Sequence, residues 1–105
     1  MSKEFRHEPE SERYVLSLDG ERVGVLHYVL TKHTISLVRS FTDPRHRGHG
    51  YAGELVDYAV NDIETRTDLR VIPQCSYVVG WFDSHPERGA LLTRGLADNK
   101  TPTNE

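Results

Sequence analysis

Cysteine, long apolar runs and surplus positive charge are all scarce in this 105-residue chain. Its single cysteine, Cys75, excludes an internal disulfide, and no apolar run approaches the roughly 18 residues of a membrane span. With a formal net charge of −3, the chain lacks the positive field of a dedicated nucleic-acid-binding protein. Its first residues carry no apolar stretch of the kind that a signal peptide has. We therefore expect a cytoplasmic monomer or weak dimer that binds neither membranes nor nucleic acid.

What the chain does contain is the composition of one globular domain, with 36% hydrophobic and 28% charged residues. Residues 1–10 are polar and rich in glutamate, so we expect a loose, flexible terminus there. The single domain is expected over residues 11–96, followed by a flexible tail over residues 97–105. Positive side chains concentrate in residues 39–49, which favours a small anionic ligand over a long polyanion.

The pattern of apolar residues predicts an α+β fold with a mixed sheet. Alternation on either side of Asp19-Gly20, a strong hairpin signal, predicts an antiparallel meander of three strands. Helical spacing of apolar residues follows, and then a short strand that a right-handed crossover makes parallel to the third strand. The predicted order is strands at about 12–18, 21–30 and 34–41, a helix at about 50–65, a strand at 69–72 and a short helix at about 75–84.

The glycines after the third strand allow more than one interpretation. Residues 48–53 spell Gly-His-Gly-Tyr-Ala-Gly, which fits the G-x-G-x-x-G pattern of dinucleotide-binding loops. Such loops follow the first strand of a parallel unit, and a carboxylate ends the next strand. Here the loop follows an antiparallel meander, and the next strand closes with the uncharged residues 71–74. A P-loop is excluded because no Gly-Lys-Ser/Thr follows. The dinucleotide interpretation is therefore set aside.

Read from further upstream, the same loop gives Arg45-x-x-Gly48-x-Gly50. This pattern resembles the acetyl-CoA signature of the GNAT superfamily of N-acetyltransferases. Small residues let successive backbone N–H groups converge on phosphate oxygens, and the N-terminus of the following helix adds its positive dipole end. Arg45 and Arg47 add charges that suit phosphate. The competing interpretation is a tight strand-to-helix turn with solvated arginines.

The resemblance implies an acetyl-CoA site built from the end of the third strand, the loop and the start of the helix. In the superfamily a backbone N–H of the strand before the loop holds the acyl carbonyl, here near Phe41-Thr42. Because His46 and His49 lack a third ligand at convincing spacing, we expect no metal. The expected cofactor-binding residues are Phe41, Thr42, Arg45, His46, Arg47, Gly48, His49, Gly50, Tyr51 and Ala52.

A second motif lies in the C-terminal half. Residues 73–77 read Pro-x-Cys-x-Tyr, and residues 85–87 read His-Pro-Glu. Both resemble a compact single-domain branch of the same superfamily, and the resemblance spans roughly residues 12–92. A generic domain of the superfamily is longer. The branch usually has a His-Thr pair in the strand before the loop, where this sequence has Arg39-Ser40, so no histidine is expected to act there.

The function that the resemblance implies is acetyl-CoA-dependent transfer of an acetyl group to a primary amine, on a small molecule or a protein lysine. A neutral amine must attack the thioester, and the leaving thiolate needs a proton or a positive dipole. Tyr77 is a candidate catalytic proton donor. Cys75, at a helix entrance that favours the thiolate, is a candidate nucleophile, base or acid, or else an inert buried thiol. The alternatives are a non-catalytic acyl-CoA-binding module or sensor, and an adaptor that binds another chain through a sheet edge.

Overall fold

The computed structural model describes residues 2–96, so the predicted tail over 97–105 lies outside the described residues. Five strands form one sheet in the order β1-β2-β3-β4-β5. Strands β1 to β4 pair with one another in antiparallel fashion, and β5 pairs with β4 in parallel. This mixed sheet confirms the predicted α+β fold. The elements are β1 (Lys3–Glu8), β2 (Arg13–Leu18), β3 (Glu21–Leu30), β4 (Thr34–Thr42), α1 (Tyr51–Arg66), β5 (Arg70–Pro73) and α2 (Ser76–Asp83), with 3-10 turns at Pro9–Ser11, Pro44–His46 and Pro86–Leu92.

The prediction of a loose terminus over residues 1–10 is wrong. Lys3–Glu8 pairs with β2 along its whole length, from Lys3 opposite Leu18 to Glu8 opposite Arg13. Phe5 stacks on Tyr58 of α1 with ring centroids 5.1 Å apart. The segment alternates inward and outward side chains, but it has one strongly apolar residue, so composition alone hid the strand. The sheet therefore begins before the predicted domain boundary.

The predicted hairpin is confirmed in its backbone angles. Asp19 has φ of 51° and Gly20 has φ of 86°, and two successive positive values are what a type I′ turn requires. This turn twists in the same sense as the strands it joins, so β2 and β3 pair directly. The local sequence was sufficient to predict this feature because no distant residue is needed to form it.

One face of the sheet packs against both helices. The buried side chains of α1 are Leu55, Val56, Ala59, Val60 and Ile63, at the spacing predicted for a helix on a sheet. Val78, Trp81 and Phe82 of α2 join the same apolar cluster, as does Leu91 after it. Neither helix of the described residues is long and apolar enough to cross a membrane. The core therefore lies between the inner face of the sheet and this helical layer.

Strands β4 and β5 stay together over only part of their length. They pair from Thr34 opposite Arg70 to Leu37 opposite Pro73. The backbone N–H groups of Gln74 and Cys75 then both donate to the carbonyl of Leu37, at 3.0 and 3.1 Å, and the chain turns into α2. Within residues 2–96, the edge of β4 from 38 to 42 therefore has no strand on the β5 side.

Candidate functional site

The loop between β4 and α1 is shaped by a few local contacts. Asp43 accepts a hydrogen bond from the backbone N–H of Arg45 at 2.9 Å, and Pro44 begins a single 3-10 turn. Gly48 and Gly50 then take φ values of +85° and +79°. An added Cβ at either position meets nothing within 4 Å, so glycine is required there by the backbone conformation rather than by crowding.

The N-terminus of α1 is left open by this loop. Its N-cap is Gly50, which gives the described helix no side-chain cap. The first hydrogen bond after the loop runs from the N–H of Glu54 to the carbonyl of Gly50 at 3.1 Å. The amides of the first turn therefore point out of the helix without a side-chain acceptor, at the positive end of the helix dipole. Such an end of a helix suits an anion.

A cavity of about 390 Å³ lies against this open end, and we call it the loop cavity. It contains eight of the ten residues predicted to bind the cofactor, and Ser40 and Tyr77 complete its lining. Tyr77 comes from α2, so the structure joins the two sequence motifs at one site. The eight residues are Phe41, Thr42, His46, Arg47, Gly48, Gly50, Tyr51 and Ala52.

Arg45 and His49 do not line the loop cavity. The Arg45 guanidinium bonds Asp43 at 2.9 Å and Glu21 of β3 at 2.7 Å. These bonds raise the pKa of Arg45, and its side-chain and backbone hydrogen bonds lower the pKa of Asp43 to about 2. Arg45 therefore ties the loop to the sheet with its charge already neutralised. His49 is exposed and stacks on Tyr51 at 5.5 Å.

Arg47 is the guanidinium that faces the loop cavity. Its Nε donates to the carbonyl of Thr42 at 3.4 Å, and it has no carboxylate partner among residues 2–96. His46 lines the cavity beside it, with its ring 6.3 Å from that of Tyr51. The guanidinium available at the cavity is thus that of Arg47, and sequence spacing alone does not distinguish it from that of Arg45.

The two predicted catalytic residues occupy different positions. Tyr77 is 44% exposed, and burial of the rest of its ring raises the pKa of its phenol, so the hydroxyl holds its proton at neutral pH. Cys75 is half-buried, packs against the core and lines neither the loop cavity nor the groove described next. The structure therefore brings Tyr77, but not Cys75, to the cavity.

A groove of about 640 Å³ between the starts of α1 and α2 adjoins the loop cavity through Gly50 and Tyr77. Three glycines are among its lining residues, Gly50, Gly53 and Gly80. A Cβ on Gly53 lies 3.2 Å from the Tyr77 hydroxyl, so this glycine admits the phenol. Sequence reasoning missed the contact because it joins two helices. Within residues 2–96, no group of three His, Cys, Asp or Glu side chains could hold a metal ion.

The chain resembles known proteins in its fold and in its sequence. A solved structure of the ribosomal-protein-S18-alanine N-acetyltransferase from Escherichia coli superposes with a TM-score of 0.59 at 11% identity, over 81% of this chain and 54% of that chain. At this identity the likeness shows the fold alone, and the chain spans about half the length of that structure. A search of curated proteins gives no match. A family model described as GCN5-related N-acetyl-transferase matches residues 13–91, so the chain belongs to the GCN5-related N-acetyltransferase family.

Proposed function

We propose that this protein transfers an acetyl group from acetyl-CoA to a primary amine, with the pyrophosphate of the cofactor in the loop cavity. The observation that carries the proposal is the convergence of Arg47, two glycines with positive φ and an uncapped helix start on one cavity. Family membership supports acyl transfer as the chemistry.

The loop cavity fits a phosphate group in shape and in charge. Successive amides at the start of α1 can donate to its oxygens, and Arg47 supplies a full positive charge that no carboxylate of the described residues neutralises. His46 lines the same wall. Arg45 is assigned a supporting role, because Asp43 and Glu21 already accept its hydrogen bonds.

The acyl end of the cofactor is assigned to the free edge of β4. Bound acetyl-CoA would supply an activated thioester there. The backbone around Phe41 and Thr42 lines the loop cavity and lies on the part of β4 that has no β5 partner among the described residues. Backbone N–H groups at such an edge are fixed donors, which suits them to orient a carbonyl.

Tyr77 is assigned as the donor of the proton that the leaving thiolate requires. Tyr77 lines both the loop cavity and the adjoining groove, and burial raises the pKa of the phenol, so the group is a proton donor rather than a base at neutral pH. Cys75 keeps its backbone role at the end of β5, where its N–H donates to Leu37. A catalytic role for its thiol stays a prediction, tested below against Tyr77.

Binding and transfer are measured separately. Acetyl-CoA at 100 times its dissociation constant should stabilise the folded protein by about 2.7 kcal/mol, seen as a thermal shift. Arg47→Glu should weaken that binding at least tenfold, since a charge-assisted hydrogen bond contributes about 1.5–3 kcal/mol. The control Arg66→Glu changes the same charge at the other end of α1 and should leave binding unaltered.

Transfer is followed by mass spectrometry of a panel of amines incubated with acetyl-CoA. Acetylated product that depends on Arg47 supports an enzyme. Stabilisation by acetyl-CoA with no product from any amine instead identifies an acyl-CoA-binding module without transferase activity. Equal binding by the wild type and by Arg47→Glu would remove the assignment of the loop cavity.

A further inference from the structure

The sheet face turned away from the helices carries a row of basic side chains. In the strand register Arg13 lies opposite His27, and His27 lies opposite Arg39, so the three are adjacent across β2, β3 and β4. The direction of Gly24 fixes the two faces, because a Cβ there would point at Leu55 of α1, 3.6 Å away. His27, which is out of phase with Gly24, therefore lies on the outer face. The register of β2 and β3 shifts between Leu16 and Ser17, so Arg22, opposite Ser17, lines the same outer face.

A concavity of about 460 Å³ lies over this row, and we call it the basic concavity. No residue of α1 or α2 lines it, and its size is that of a small-molecule site. Its one carboxylate is Asp43, which already bonds Arg45 at 2.9 Å. The side chains that the inference uses are Arg13, Arg22, His27, Arg39 and Phe41.

Two of the three arginines lack an internal partner. Arg13 donates to Glu8 at 2.7 Å. Within residues 2–96, Arg22 and Arg39 form neither an ion pair nor a side-chain hydrogen bond, although both line the concavity. Both side chains are exposed, so their guanidinium groups are available to bind an anion.

His27 lies in the middle of the row, and its surroundings keep it neutral. Burial lowers the pKa of His27, and the charges of the three arginines lower it further. The neutral ring can donate one hydrogen bond and accept another. The guanidinium groups of Arg22 and Arg39, which have no carboxylate partner among residues 2–96, line one concavity with this neutral imidazole. Such a set suits a carboxylate or a phosphate, both of which guanidinium groups bind in a bidentate manner.

The basic concavity is connected to the loop cavity by β4. Phe41 lines both. Its neighbours Ser40 and Thr42 line the loop cavity, and Arg39 lines the concavity. The free edge of β4 is thus reached from both sides of the sheet. A long polyanion is disfavoured because the whole chain carries a net charge of −3.

We propose that the basic concavity binds an acidic group, a carboxylate or a phosphate, of the amine acceptor, so that the acceptor is an amine that also carries negative charge. This inference rests on the proposed function. It places the acidic group at Arg22 and Arg39 while the amine reaches the free edge of β4. A polyamine, which has only positive groups, is a poor acceptor at such a site.

The binding test uses inorganic phosphate and succinate as probes, read from the His27 ring resonances in NMR titrations. The wild type should bind one of them, and Arg22→Gln with Arg39→Gln should weaken that binding at least tenfold, from the loss of charge-assisted hydrogen bonds. The pair Lys32→Gln with Arg66→Gln removes equal charge at positions that do not line the basic concavity and should not weaken it. Comparing the two probes separates a carboxylate site from a phosphate site.

Two further measurements distinguish a failure of this inference from a failure of the proposed function. Arg47→Glu should leave the response of the His27 resonances to phosphate and succinate unchanged. The double variant Arg22→Gln with Arg39→Gln should leave the affinity for acetyl-CoA unchanged. If acetyl-CoA fails to bind the wild type, the proposed function is overturned and the acceptor role with it. If neither probe shifts His27, or both bind the double variant as well as the wild type, the inference alone is overturned.

Specificity gives the last arm of the test. The ratio of kcat/KM for an amine bearing a carboxylate or phosphate to that for a polyamine should exceed one in the wild type and fall at least tenfold in the Arg22/Arg39 variant. A higher kcat/KM for the polyamine overturns the inference. Tighter binding of a single-stranded oligonucleotide than of either probe, lost in the same variant, also overturns it in favour of a nucleic-acid surface.

Discussion

The sheet has two regions that differ in how far their strands pair. In the first region, strands β1 to β4 pair with one another over six or seven residue pairs, whereas in the second region β4 and β5 pair over four. The first region also holds the aromatic contacts of Phe5 and Tyr14 with Tyr58. The second region holds the loop cavity, the free edge of β4 and Tyr77. Long strand pairing thus lies in one region and the candidate site in the other, so substitutions in the two should affect different measurements.

The largest effect on the free energy of unfolding should come from a buried residue of α1. Ile63→Ala removes a side chain with no exposed surface from α1 and should lower the free energy of unfolding by about 2–5 kcal/mol. Urea unfolding measures this, with Val29→Ala, half exposed on β3, as a control expected to cost less than about 1 kcal/mol. Under conditions where Ile63→Ala is folded, acetyl-CoA affinity should be unchanged. A loss of affinity as large as that of Arg47→Glu would show that the two regions are coupled.

Tyr77→Phe should act only in the open region. Removing the hydroxyl deletes the proposed proton donor and should lower kcat about a hundredfold, the lower end for general acid catalysis. Acetyl-CoA affinity and unfolding free energy should stay unchanged, because the hydroxyl donates to no residue of the described chain.

Cys75→Ala is the matched comparison for Tyr77→Phe. Its thiol lines neither the loop cavity nor the adjoining groove, so kcat should stay within a few-fold of the wild type. A hundredfold loss in Cys75→Ala with a small loss in Tyr77→Phe would exchange the two roles.

Gly53→Ala should raise the free energy of unfolding and lower kcat. Alanine in a helix is favoured over glycine by up to about 1 kcal/mol, so unfolding free energy should rise. Its Cβ would lie 3.2 Å from the Tyr77 hydroxyl, so the phenol must shift and kcat should fall several-fold. Gly80→Ala in α2 adds the same methyl where nothing lies within 4 Å. It should stabilise without slowing transfer by displacement of Tyr77.

The smallest effect concerns Asp43 in acid. Hydrogen bonds from Arg45 lower the pKa of Asp43 from 3.8 to about 2 in the folded protein. A carboxyl group with a lowered folded pKa contributes stability above its ordinary pKa, and that stability is lost as pH falls from 3.8 towards 2. Asp43→Asn should therefore flatten the pH dependence of urea unfolding in this window. Arg45→Gln should flatten it in the same way, and an unchanged slope in either variant would contradict the assignment.

Features set by neighbouring residues could be predicted from the sequence. The Asp19-Gly20 turn, the apolar spacing of α1 and the glycines of the loop each depend on a few adjacent positions, and the structure has all three. Most of the lining of the loop cavity lies in residues 41–52, the same stretch in which the sequence pattern predicts the cofactor-binding residues, and their binding role stays a prediction.

Features that depend on distant residues could not be predicted. Arg45 was predicted to face phosphate, but its charge is taken up by Glu21, which is 24 positions away and becomes its neighbour only in the sheet. The row of Arg13, His27 and Arg39 depends on a strand register that is shifted by irregularities after Leu16 and after His27. A shift of one residue reverses which face a side chain occupies, so no pattern in the sequence reveals this row.

Pro73 gives the opening of the sheet a defined length. Proline has no N–H to donate, the parallel ladder ends there, and β4 runs on from 38 to 42 paired with β3 but without β5. Five residues of strand measure roughly 16 Å at about 3.3 Å per residue. On the proposed function, this stretch carries the backbone that holds the acyl carbonyl, near Phe41 and Thr42, and it sets where the loop lies relative to Tyr77 of α2. Lengthening β4 by two residues would move the loop about 7 Å along the strand axis and would separate it from Tyr77.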